Sequence, residues 1–218
     1  MTFATSKNVL SINVQYKDLY AYNILQRCFI SDEGLSNDEL IVRYWLTENI
    51  ISAFKVYENI LSLILQHEKQ DQVQQGNLNL YLLEIPMYLE SLISIVKRIC
   101  EGVKVISTKN EVFKSVIEKH QDAIKKVSEI RNKFEHFNKQ LNNEKLTTGA
   151  VNIIFSEEGK YIAFRKNKIL TVDLILLMEG VFDAVSSLHS GFQKSNKSQS
   201  GILSLTISGS SKIITHKK

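Results

Sequence analysis

The chain has 218 residues, 44% of them hydrophobic and 23% charged, with a formal net charge of +4. That length suits one domain with an embellishment, or two small ones, and the apolar content is ample for a packed core. The mild basicity permits a polyanionic partner without demanding one, because domains built around nucleic acid usually cluster a larger excess of Lys and Arg.

Met1 to Asn13 lacks a basic region followed by an apolar run, so no signal peptide is expected. A first helix is predicted over Gln15 to Ile30, with Leu19, Tyr22, Leu25, Gln26 and Phe29 near helical spacing. Ser36-Asn37-Asp38-Glu39 has the spacing of a capping box and opens a second helix running to about His67. Its expected inner stripe is Ile41, Trp45, Ile50, Phe54, Tyr57, Leu61 and Leu65. The polar, Gln-rich stretch Gln66 to Asn79 reads as a loop.

A third helix is most secure from Pro86 to Val105, with proline in its first turn and Leu89, Leu92, Ile93, Val96 and Ile99 lining it. Leu78 to Val96 is the most apolar segment, but Glu84, Pro86 and Glu90 interrupt it, so no membrane span and a cytoplasmic protein are expected. Cys28 and Cys100 are far apart in apolar helical contexts and read as buried reduced thiols. No Cys and His spacing resembles a zinc site, and no cofactor is implied.

Thr108-Lys109-Asn110-Glu111 is a second capping box, opening a long helix that ends near Asn142-Asn143. The period then changes. Ala150 to Ser156 and Lys160 to Arg165 are β-rich runs around Glu157-Glu158-Gly159, a hairpin signal with Gly available for φ > 0. Thr171-Val172-Asp173 leads into an apolar closing helix, Leu174 to His189. From Ser195 the composition suggests a flexible tail, although Leu203, Leu205 and Ile207 alternate with polar residues as a loose segment or an added edge strand would. The expected architecture is mainly α: a four-helix up-and-down bundle with a small C-terminal β-hairpin insert and a closing helix. One domain would span 1–194 (core about 15–145, hairpin about 150–166, closing helix about 173–190), followed by the tail, 195–218.

The fourth helix carries the chemistry. On a 3.6-residue period Phe113, Val116, His120, Ala123, Val127, Phe134 and Leu141 gather on one side as a core face. Glu129, Asn132, His136, Gln140 and Asn143 lie mostly opposite, with Lys125 nearby. Arg131 sits roughly 40° from Val127 on the flank of the apolar face, where a guanidinium needs a partner, and Glu135 is the local one. Arg131 and His136 are about 140° apart, so one helix does not aim both at a single atom. Two copies related by a two-fold axis could line one cleft with both.

The string Arg131-Asn132-Lys133-Phe134-Glu135-His136, led in by Val127-Ser128-Glu129-Ile130, resembles the R-x4-6-H signature of HEPN domains. These small helical domains include many metal-independent ribonucleases working as dimers or paired domains. The resemblance covers about residues 15–145 and is carried specifically by Arg131 to His136. It implies endoribonuclease activity on RNA, a homodimer, and a role in toxin–antitoxin or antiphage systems with a cognate antitoxin or defence partner. His136 would be the general acid or base, Arg131 the phosphate clamp and Asn132 the orienting residue.

The residue types suit that chemistry. RNA supplies its own nucleophile in the 2′-OH, histidine titrates near neutrality, and arginine holds a phosphate through two N–H groups. Lys125, Lys133 and Lys139, with Lys126, form either a phosphate-tracking patch or a solvated face. One departure stands out: where the antitoxin-regulated toxins of the family commonly have R-x4-H-x-Y, this chain has Asn138, which puts control through that tyrosine in doubt. The rival reading, from another class, is a non-catalytic helical module whose polar stripe binds a partner protein or nucleotide. His67, His120, His189 and His216 lack partners at useful spacing, and His120, on the core face, reads as a satisfied buried histidine.

Overall fold

The structure, a computed structural model, describes residues 4, 9, 11–12, 14, 16–29, 37–70, 78–141 and 152–189, with backbone alone at 29, 37–39, 70, 78–82 and 138–141. Six helices carry 81% of these residues beside one small antiparallel sheet, so the chain is mainly α. In order they are α1 (Tyr16–Phe29), α2 (Asn37–Gln70), α3 (Leu78–Ser107), α4 (Glu111–Lys119), α5 (Gln121–Leu141), β1 (Ile154–Ser156), β2 (Tyr161–Phe164), β3 (Asn167–Leu170) and α6 (Thr171–Ser187). Ser36 and the alternating run Leu203 to Ile207 lie outside the described residues, as does the whole segment 195–218.

The long α2 and α3 form the backbone of the bundle. Gly102, late in α3, lies against Trp45 and Leu46, early in α2, so the two run antiparallel. Leu46, Ile50, Phe54, Tyr57, Ile60 and Ile64 of α2 meet Leu89, Leu92, Ile93, Val96 and Ile99 of α3 in one continuous core. Three members of the expected α2 stripe are corrected: Ile41, Trp45 and Leu65 are exposed, Ile41 by 64%. Packing by α1, α3 and α6 together selects the buried side of α2, and these three fall at its margins. α1 is tied to α2 by an ion pair from Arg27 to Glu48 and by stacking of Tyr16 on Phe54 at 5.4 Å.

Other boundaries also move. α2 continues to Gln70, and α3 begins at Leu78, so Pro86 is inside the helix rather than in its first turn. Cys100 is buried, its thiol pushed up to about 12 by desolvation, whereas Cys28 is exposed on α1. The cap before α4 is Asn110, whose side chain accepts from the Val112 and Phe113 amides; the Thr108 hydroxyl instead donates back to the Val105 carbonyl. The predicted single helix is two, α4 and α5, joined at His120 (φ −115°, ψ 22°). Its amide still reaches the Val116 carbonyl and its own carbonyl accepts from Ile124, so hydrogen bonding passes through the joint.

The predicted hairpin is a three-stranded meander, β1-β2-β3. β1 and β2 pair as expected (Phe155 opposite Ile162), around Glu157, Glu158 and Gly159, all at positive φ. The unforeseen β3 returns through the two-residue turn Arg165-Lys166, placing Asn167 opposite Phe164. No Gly or Asn marks that turn. Arg165 itself takes the left-handed backbone, φ 55°. α6 starts at Thr171, three residues early, because the Thr171 amide and hydroxyl donate to the carbonyls of Lys160 and Gly159, at 2.9 and 2.6 Å.

Candidate functional site

The orientation of α5 follows from its apolar residues. Ala123, Ile124, Val127, Ile130, Phe134 and Phe137 are all buried. Phe134 and Phe137 both meet Phe164 of β2 edge-on, at 5.3 and 5.8 Å between ring centroids. Three interlocked rings fix the rotation of the helix about its axis, because turning it would leave an aromatic in water. The remaining positions are thereby forced outward: Lys125, Glu129, Asn132, Lys133, Glu135 and His136 are exposed. Lys125, Glu129, Asn132 and His136 follow one another at helical spacing, so they form a single polar stripe.

Arg131 stands at the border of the apolar face, its side chain 22% exposed. Nη2 lies 3.0 Å from Oε1 of Glu135, and the guanidinium is 5.9 Å from the Phe134 ring. Burial of the stem and pairing of the head both match the position of this residue on the helix. Arg131 and His136 leave the helix in directions about 140° apart, and among the described residues no hydrogen bond joins Arg131, Asn132 and His136. A single chain therefore displays the three groups without converging them. The Lys139 side chain lies outside the described residues. Among those described, no group of three or more His, Cys, Asp or Glu is placed to hold a metal ion.

Two features escaped sequence reasoning. The first is a second arginine at the motif helix. Arg165, from the β2–β3 turn, places its guanidinium 4.4 Å from the centroid of Phe137, the residue after His136. The second is a buried polar knot around His189. Nδ1 lies 2.8 Å from Gln26 Oε1 of α1, and Nε2 lies 2.9 Å from Thr47 Oγ1 of α2. The Gln26 amide oxygen accepts, and the Thr47 hydroxyl also lies 2.8 Å from the Arg43 carbonyl, to which it donates. His189 thus links the end of α6 to α1 and α2, and its partners lie 163 and 142 residues away. Gln26 on the inner side of a predicted helix was the available hint.

His120 is buried as expected, but its Nε2 has no hydrogen-bond partner among the described residues, so it is not fully satisfied. Desolvation lowers its pKa, Lys119 lowers it further, and Asp173 opposes both. No family model, curated protein or solved structure matches the chain.

Proposed function

We propose that the protein is a metal-independent endoribonuclease of the HEPN type, built as a homodimer across the polar stripe of α5. The observation that carries this reading is the outward presentation of His136 and Asn132 on a helix whose rotation is locked by Phe134, Phe137 and Phe164. In such a site the RNA 2′-oxygen attacks phosphorus, the bond to the 5′-oxygen breaks, and a 2′,3′-cyclic phosphate and a 5′-hydroxyl form. One proton leaves the 2′-OH and one reaches the departing 5′-oxygen. His136 from either copy serves one of these transfers, Asn132 orients, and Arg131 offsets charge on the phosphate. A place in a toxin–antitoxin or antiphage system rests on the HEPN resemblance alone.

Glu135 does not block this role. An i,i+4 helical ion pair contributes only about 0.3–0.5 kcal/mol, whereas a hydrogen bond to a charged group contributes about 1.5–3 kcal/mol. A phosphate can therefore displace the carboxylate. The same pairing supports the second reading, a non-catalytic binding module in which Arg131 is a structural partner of Glu135. The experiment is cleavage of single-stranded RNA in excess EDTA, by the purified chain and by His136→Ala. Cleavage by the former alone, with the melting temperature within a few degrees, is expected. Strict dependence on an added divalent metal, or equal activity of the variant, rules the nuclease mechanism out.

A further inference from the structure

The β insert adds cations to the motif helix. Between Lys160 and Leu170 the chain has four cationic residues, Lys160, Arg165, Lys166 and Lys168, and no acidic one. Lys168 is occupied by Glu157 at 2.9 Å and lies over the Tyr161 ring. Arg165 and Lys166 form the turn itself. Lys166 is exposed. The Arg165 guanidinium lies 4.4 Å from the Phe137 centroid and 5.7 Å from that of Phe164. Phe137 follows His136 directly and is one helical turn beyond the exposed Lys133.

The backbone at this turn is unusual. Arg165 holds φ 55°, in the left-handed region that a residue with a Cβ adopts only at a steric cost. Gly or Asn would close the same turn with less strain. Stacking of the guanidinium on the Phe137 ring recovers part of that cost. Packing accounts for the stem of Arg165 over Phe137, but not for a second, exposed cation in the same two-residue turn. A stacked guanidinium is weakly hydrated and pre-ordered, so it loses little on meeting a phosphate.

We infer that the Arg165-Lys166 turn is part of the RNA-binding surface, holding phosphates of single-stranded RNA beside the nucleotide that His136 addresses. This rests on the nuclease reading for its ligand and extends it to an element outside the motif. Polyanion rather than acidic protein is the occupant because the cations come from two elements that meet at Phe137, Lys133 on α5 and Arg165 and Lys166 on the turn, and every phosphate presents the same charge.

The test uses the full chain carrying His136→Ala, so that bound RNA survives. Fluorescence anisotropy with labelled single-stranded RNA is followed between about 50 and 200 mM salt, where each lost phosphate contact lowers the slope of log K against log salt by about 0.7. Lys166→Ala, at an exposed position, should lower the slope by about 0.7, and Arg165→Ala with Lys166→Ala by about 1.4. Arg165→Lys should keep the slope while weakening binding several-fold, since charge stays and stacking goes. Unchanged slope and affinity in Lys166→Ala and in the double variant, each folded by its melting curve, overturn the assignment even where EDTA-resistant cleavage is found. A turn-dependent slope without any cleavage by the unmutated chain upholds the surface and overturns the nuclease reading. No RNA binding at all overturns both.

Discussion

Arg131 has two duties that a substitution series separates. Its stem covers the margin of the core near Phe134, and its head is held by Glu135. Arg131→Lys keeps the charge and most of the stem but loses the planar two-pronged donor. Cleavage should fall by at least tenfold in this variant, measured under single-turnover conditions on protein of unchanged melting temperature. Arg131→Ala should fall as far and also lose stability, by about 1 kcal/mol. Near-normal cleavage by Arg131→Lys would reduce Arg131 to a structural partner of Glu135. His120 offers a different test. Burial and Lys119 hold its pKa below the ordinary value of 6.5, with Asp173 acting the other way. Its folded-state pKa is depressed, so the unfolded chain takes up the proton first as pH falls. The neutral ring's stabilising contribution is complete above pH 6.5 and is lost as the pH drops below that value toward the folded-state pKa. The urea midpoint should decline from pH 7.5 to 5.5 (roughly one unit either side of an ordinary histidine), and His120→Gln should flatten this decline. An identical pH profile in the variant would exclude His120 as its source.

At the scale of elements, α4, α5 and α6 meet where His120 interrupts the helix. A Cβ on Gly180 of α6 would stand 2.9 Å from His120 Nε2, closer than carbon and nitrogen tolerate. Gly180→Ala should therefore destabilise the fold by about 1–3 kcal/mol despite its better helix propensity, as overpacking does. Chemical denaturation reads this directly, and a variant as stable as the parent would mean that the α4–α5 joint yields freely. The same joint marks the limit of what the sequence discloses. The apolar period from Phe113 to Phe134 identifies the buried side correctly, because helical periodicity is a local property. The break at His120 packs against Gly180 of α6, sixty residues onward, and leaves no local mark. The strand β3 is hidden for a related reason: a turn with Arg165 at positive φ carries none of the residues that usually announce one. The polar stripe of α5 was legible, as was the Arg131–Glu135 pair, since both follow from spacing along one helix. The second arginine at Phe137 and the His189 knot were not, because distant strands and helices assemble them.

For the whole molecule, the question is how groups that diverge on one helix could act together. No helix among the described residues is long and apolar enough to cross a membrane, and the α5 stripe is one surface on which a second copy could lie. The two-fold arrangement proposed above would form two equivalent clefts, each taking Arg131 from one chain and His136 from the other. Light scattering should then give about twice the chain mass at micromolar concentration. Mixing supplies a sharper test. Arg131→Ala and His136→Ala chains, each inactive alone, are combined in equal amounts and allowed to exchange subunits. Random pairing makes half of the dimers mixed, and in each mixed dimer one cleft has both residues intact while the other lacks both. About a quarter of the unmutated activity should return. If Arg131 and His136 acted from the same chain, every cleft in the mixture would lack one of them, and no activity would return. A dimer that exchanges subunits yet stays inactive on mixing would therefore overturn the shared cleft.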